Sequence, residues 1–224
     1  MTAGQFKRLL KEQFLLMPHI KNKRKKYIEM ICSHYDYSME TPSILCSTCI
    51  GGMIYSDLGL EFLSPTINLW CTAEDLSKIA EKPEKYFSQD IEFIHNDRRY
   101  RYGHPVGRIG DAVIYFTHYE TDEEAAAKWY ERRERFNYDN VYIITDDNGL
   151  SEQGRQRLIK SKHKRLIIFS AGGSTDEYSF VYKCYKNGVL GLYSVRGLSG
   201  MAAFEKEFDY AAWLSGKSEI RIDR

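Results

Sequence analysis

Apolar and polar positions alternate in two rhythms along this chain. Ser43-Ile44-Leu45-Cys46 is a short β-leaning run, and Met53, Ile54 and Leu58 fall on one side of the helical segment that follows it, closed by Gly59. Between them lies a polar corner with Ser47, Thr48 and Cys49, then Gly51 and Gly52. Further on, Ile67–Trp70 alternates like a strand after Pro65, which blocks a helix there. Thr72 with Asp75 marks a helix start, and Leu76, Ile79, Ala80 and Tyr86 form its stripe, with Pro83 bending or splitting it. Short strands are expected at 91–94, 113–117, 140–145, 165–170 and 178–185. Helices are expected from the Thr121/Glu124 capping box to about Phe136, over roughly 152–161, and over 204–214. Strands alternating with helices of about ten to sixteen residues predict an α/β fold, a single domain with a largely parallel sheet flanked by helices.

The start of the chain differs in charge. Residues 1–30 carry eight Lys/Arg against Glu12 and Glu29, in a chain of net charge +1. Phe6, Leu9, Leu10, Phe14 and Met17 recur at helical spacing up to Pro18. The division expected is a basic helical extension over 1–40 and an α/β domain over 41–224. The extension is read as a helix with solvated lysines, the rival being weak contact of residues 1–30 with an anionic membrane surface. The near-zero net charge argues against a nucleic-acid partner. Five cysteines without framework spacing argue for a reducing cytosol, with the inner face of the membrane as the alternative site. No apolar run is long enough for a transmembrane helix, and no secretory signal pattern opens the chain.

In open α/β sheets ligands sit beyond the carboxyl ends of the strands. Three polar corners follow predicted strands here, carrying Cys49, His118 and the pair Asp146/Asp147. One reading makes Cys49 a nucleophile and His118 its base, with Asp146 or Asp111 orienting the imidazole and Gly51 and Gly52 offering N–H groups to an oxyanion. The helix dipole would then favour thiolate at Cys49. A second reading puts a cation on Asp146/Asp147, though Asp-Asp-Asn-Gly is also a plain turn. A third pairs Cys46 with Cys49 as a redox dithiol. The plain alternative is a small buried cysteine in an ordinary turn. No second cysteine pair or nearby histidine completes a zinc set, so no metal is expected, and no cofactor can be named. Ser47, Gly51, Gly52, Tyr55, Arg108, Tyr119, Trp129 and Arg132 complete the expected site as substrate-binding residues; Trp129 and Arg132 share a helix face.

The run Ser47-x-Cys49-x-Gly51-Gly52-x-x-Tyr55-x-x-Leu58-Gly59, then Ser64-Pro65-Thr66, resembles an uncharacterised bacterial family of exopolysaccharide-biosynthesis proteins. Pro105-Val106-Gly107, His118-Tyr119, Ala126-x-x-Trp129-x-x-Arg132-Arg133, Asn137-x-Asp139-Asn140 and Phe208-Asp209-Tyr210-x-x-Trp213-Leu214 are similar as well, so the resemblance spans roughly residues 43–214. It implies an α/β fold and a place in capsule or exopolysaccharide synthesis. The function expected is a transferase, glycosyl or acyl, acting on a cell-surface polysaccharide or its activated sugar precursor. The alternative is a non-catalytic sugar- or nucleotide-binding component of an assembly complex.

Overall fold

The computed structural model describes residues 17–95, 103–170, 172, 176–181 and 200–222. The chain divides into two compact units, Glu40–Tyr182 and a second drawn from Met1–Met39 and Lys183–Arg224. The unit boundary at residue 39/40 lies next to the division expected from charge, and the C-terminal segment clusters with the N-terminal one.

Glu40–Tyr182 carries the α/β fold. Its strands β1 (Ser43–Cys46), β5 (Val141–Asp146), β6 (Arg165–Ser170) and β7 (Ser179–Val181) pair in the order β1-β5-β6-β7, all parallel. β1 is buried along its whole length, and β5 and β6 over all but one residue each. Near-continuous apolar runs are what a parallel sheet covered on both faces requires. Its helices are α2 (Ile50–Leu58), α3 (Ala73–Glu81), α4 (Pro83–Phe87), α5 (Asp122–Arg133) and α6 (Glu152–Lys160). The hydroxyls of Thr72, Thr121 and Ser151 cap α3, α5 and α6 by accepting from the N–H groups of Asp75, Glu124 and Gly154. Each such cap contributes about 1 kcal/mol. Gly59 ends α2 with φ of 65°, a left-handed conformation that glycine adopts without a Cβ penalty.

Three elements differ from the pattern reading. Residues 113–117, expected in the parallel sheet, instead lie in and beyond β4 (Ala112–Tyr115) of a separate antiparallel sheet with β2 (Glu92–Phe93) and β3 (Val106–Ile109), ordered β2-β3-β4. Gly110 turns the chain between β3 and β4 with φ of 61°, and a two-residue hairpin of this kind makes antiparallel pairing local. Residues 67–70 contribute a single bridge, Trp70 to Tyr115, because Asn68 takes φ of 60° and breaks the extended run. The helix expected over 204–214 is a 3-10 turn (Phe204–Lys206) and a short helix α7 (Tyr210–Leu214), separated because Asp209 caps α7 through the Ala212 N–H. The core of Glu40–Tyr182 is aromatic and aliphatic: Phe87, Phe116, Trp129 and Phe136 pack edge to face on one another in a cluster that includes Leu76, Ile143 and Ile168.

In the second unit, α1 (Pro18–Ser33) starts on Pro18 and buries Ile20, Tyr27 and Ile31, leaving Lys21, Lys23, Lys25 and Lys26 exposed. Arg24 reaches Glu205 at 2.8 Å, and the buried Glu205 carboxylate also accepts from Ala202 N–H. His34 Nδ1 lies 2.6 Å from Asp209 Oδ2. Phe6, Leu9, Leu10 and Phe14 lie outside the described residues. Among the described residues no helix is long and apolar enough to cross a membrane.

Candidate functional site

β1 delivers the chain to a corner at its carboxyl end, and α2 begins at Ile50 with Cys49 in the N-cap position. From the antiparallel sheet, β4 ends at Tyr115 and the chain turns through Thr117 and His118. The Trp70–Tyr115 bridge and the Cys71 N–H, which donates to Ser47 O at 3.1 Å, tie the two corners together. Cys49 Sγ and His118 Nε2 stand 3.2 Å apart, within hydrogen-bond reach for sulfur. The two side chains that the sequence reading expected to act together are therefore brought within reach of each other, from the ends of strands in two different sheets.

Burial pushes the half-buried Cys49 thiol up to about 11; a neighbouring Cys46 adds to the rise and the nearby Thr117 hydroxyl opposes it. The direction is opposite to the lowered thiol expected at a helix start, because desolvation is the largest influence on Cys49. Partial desolvation of the imidazole, which still reaches the surface, and then the nearby charge of His104 lower His118. The resting pair is thus a neutral thiol beside a neutral imidazole. At pH 7 only about one Cys49 in ten thousand is thiolate by its own titration.

Asp146 stands at the same edge, since β1 and β5 are parallel neighbours with Cys46 level with Ile144. Its Oδ1 accepts from Asn148 N–H at 2.9 Å, which makes the Asp-Asp-Asn-Gly corner a side-chain-closed turn. Burial raises the thiols of Cys46 and Cys71, and the Asp146 charge adds a smaller rise. Asp111 sits instead at the β3–β4 turn, taking a 2.6 Å hydrogen bond from Tyr86 OH and facing Lys78.

Most of the residues expected to bind substrate are engaged in packing. Ser47 is buried and meets Thr145 Oγ1 at 3.0 Å, joining β1 to β5. A Cβ on Gly51 would stand 2.8 Å from Ile67 Cδ1, and one on Gly52 would collide with the Asn68 amide. The two glycines let α2 approach residues 67–68, and the Gly51 N–H faces the Cys46 sulfur and not an oxyanion. Tyr55 is fully buried, its OH donating to Pro42 O at 2.5 Å and accepting from Ile44 N–H. Trp129 is a core residue, 1% exposed. Arg132 donates to Ile67 O at 2.8 Å and lies over the Phe62 ring, so its fork is spent inside the fold. Arg108 is exposed on β3 and pairs with Glu92 across the strands. Tyr119 beside His118 is buried against Phe116. Thr48, Thr117 and His104, which pattern reading passed over, are the polar groups around the pair: Thr48 Oγ1 reaches Cys46 Sγ at 3.6 Å. For Thr117 the signal was its position next to His118 at a strand end.

The thiol shifts carry a stability consequence. Cys46, Cys49 and Cys71 are all raised by burial, so the native chain holds their protons more tightly than the unfolded chain. Stability from this source is complete below the unfolded thiol value, about 8.5, and is lost as pH rises toward about 11. The thermal midpoint is expected to hold up to about pH 8 and then fall steadily through that window. Melts across buffers check this, and a midpoint flat to pH 11 would contradict buried thiols.

Residues 20–215 match the model of a family described as Domain of unknown function (DUF1919). Over 198 residues the chain is 27% identical to a protein of Haemophilus influenzae (strain ATCC 51907 / DSM 11121 / KW20 / Rd) described as an uncharacterized protein, covering 87% of this chain and 94% of that one.

Proposed function

The chain belongs to the DUF1919 family of unknown function, and on that premise we propose that it is a group-transfer enzyme using Cys49 as nucleophile and His118 as base. The 3.2 Å approach of Cys49 Sγ to His118 Nε2, at the carboxyl end of a parallel strand, carries this reading. The resemblance of its motifs to exopolysaccharide-biosynthesis proteins suggests the substrate class: a cell-surface polysaccharide or its activated sugar precursor, handled in the cytoplasm.

The chemistry follows from the neutral pair. His118 acts in the tautomer with its proton on Nδ1, leaving Nε2 free to accept. The thiol proton passes to Nε2 as Sγ bonds to the electrophilic carbon, and the leaving group departs with the bonding electrons and takes that proton. An acceptor hydroxyl then gives its proton to Nε2 and attacks the same carbon. The S–C bond breaks and the thiol is restored. Because free thiolate is scarce, proton transfer and attack must be coupled, which is the task of a positioned base.

The same burial favours a second reading, a sugar- or nucleotide-binding component without chemistry, since a thiol at about 11 is unreactive by itself. Incubation with nucleotide-sugars and acyl-coenzyme A, followed by thermal melts and intact mass, decides between them. Stabilisation with an adduct that maps to Cys49 is the expected result. Stabilisation without any adduct supports the binding component. Neither effect with any compound in the panel counts against both.

A further inference from the structure

Of the three tryptophans in the chain, Trp129 and Trp213 are 1% and 2% exposed, whereas Trp70 is 39% exposed. Its chain neighbours Leu69 and Cys71 are each 3% exposed, so the indole is turned out of an otherwise buried stretch. Below it lies Tyr115, 2% exposed, with ring centroids 4.7 Å apart and planes inclined at 51°. Two backbone hydrogen bonds, Trp70 N–H to Tyr115 O at 2.9 Å and Tyr115 N–H to Trp70 O at 2.8 Å, fix the residue in place. The indole is therefore a backed, held ring face and not a loose side chain.

Its position is set by the same two connections that assemble the Cys49–His118 pair. Trp70 immediately precedes Cys71, whose N–H holds Ser47 O two residues before Cys49. Across the bridge, Tyr115 is three residues before His118. By chain path, through the Cys71–Ser47 hydrogen bond and two further residues, the indole lies within on the order of 20 to 25 Å of the sulfur. Among the described residues the polar groups around the pair are hydroxyls and imidazoles: Thr48, Thr117, His118 and His104, whose charge bears on His118. A flat apolar face together with hydroxyl and imidazole hydrogen-bonding groups matches a pyranose ring, which presents a C–H face to the indole and hydroxyls at its rim. A phosphate would call for cations, and among the described residues Arg132 is buried and turned to Ile67 O inside the fold.

We propose that Trp70 is the platform on which a sugar ring of the substrate stacks beside Cys49 and His118. This rests on the reading of that pair as the group-transfer centre and names the part of the substrate the site grips. The ring stacked on Trp70 is the transferred sugar or the acceptor sugar that receives the group.

Iodide quenching of tryptophan emission in the full-length protein reads this directly, because the exposed indole dominates the quenchable signal. UDP-glucose, UDP-N-acetylglucosamine and GDP-mannose are the probes, with UDP and GDP as controls. At least one sugar nucleotide is expected to shield the emission from iodide while its free nucleotide does not. In Trp70→Ala the apparent affinity, followed by thermal shift, falls roughly tenfold, the scale of one lost aromatic contact. Trp70→Phe, which keeps a ring on Tyr115, recovers most of it and guards against a folding defect in the alanine variant. No shielding by any of the three sugars overturns the platform, as does equal shielding by the free nucleotides, which would assign the indole to the base. The underlying reading fails separately: shielding that persists with no Cys49 adduct removes the transfer chemistry alone, and an adduct without shielding removes the platform alone.

Discussion

Cys49→Ala is expected to abolish covalent capture and to lower group transfer by at least about 10³-fold, with the thermal midpoint shifting by no more than a few degrees. Cys49 is half-buried at the N-cap of α2 and makes no side-chain cap bond to the helix, so its removal costs the fold little. His118→Ala should lower transfer by about 10² to 10⁴, the range for losing a positioned base. Its fold cost is also small, because the residue lies at the surface beyond the end of β4. The two effects should not add, since sulfur and imidazole act as one unit. The pH dependence separates the roles. With Cys49 pushed up to about 11, iodoacetamide labelling of the wild-type thiol should rise close to tenfold per pH unit from neutrality toward that value. In His118→Ala the labelling profile should survive while transfer does not. A Cys49→Ala variant that keeps its transfer rate would sink the nucleophile.

Trp129→Ala is expected to destabilise the native state by about 3–5 kcal/mol, the cost of truncating a fully buried large aromatic. The indole packs edge to face on Phe87 and Phe116, at 5.7 and 6.2 Å between centroids. In a unit of this size that loss lowers the thermal midpoint by on the order of 10 °C. Ligand affinity of the surviving folded fraction should be unchanged, because the side chain is 1% exposed. Chemical denaturation followed by circular dichroism gives the stability, and binding is measured well below the new midpoint. A stable Trp129→Ala protein that has lost binding would return Trp129 to the site. The contrast with Trp70 is direct: one tryptophan should move stability, the other affinity.

Local pattern was enough to place most elements and the nucleophile corner. The Thr72 and Thr121 caps are short-range chemistry, a hydroxyl meeting an N–H three residues on, and they start α3 and α5 where the capping signals stand; Ser151 caps α6 the same way, though the pattern reading named no cap there. The buried runs of β1, β5 and β6 carry their parallel pairing in composition, because strands covered on both faces have no polar side to show. The turn that sets Cys49 at a strand's carboxyl end is likewise local.

What only tertiary structure decided is what each side chain faces. His118 was legible as a strand-end histidine, yet nothing local says that its strand belongs to an antiparallel hairpin bridged to Trp70. Gly51 and Gly52 read equally well as room for a ligand or room for a neighbour, and the neighbour that fills it, Ile67–Asn68, is sixteen positions away. Trp129 and Arg132 share a helix face, but whether that face meets solvent or core depends on where α5 lands, and it lands on Phe87, Phe116 and Ile67 O. The thiol is the sharpest case. A helix start predicts a lowered Cys49 from neighbours within one turn, while the desolvation that lifts it to about 11 comes from chain segments that meet only in the fold.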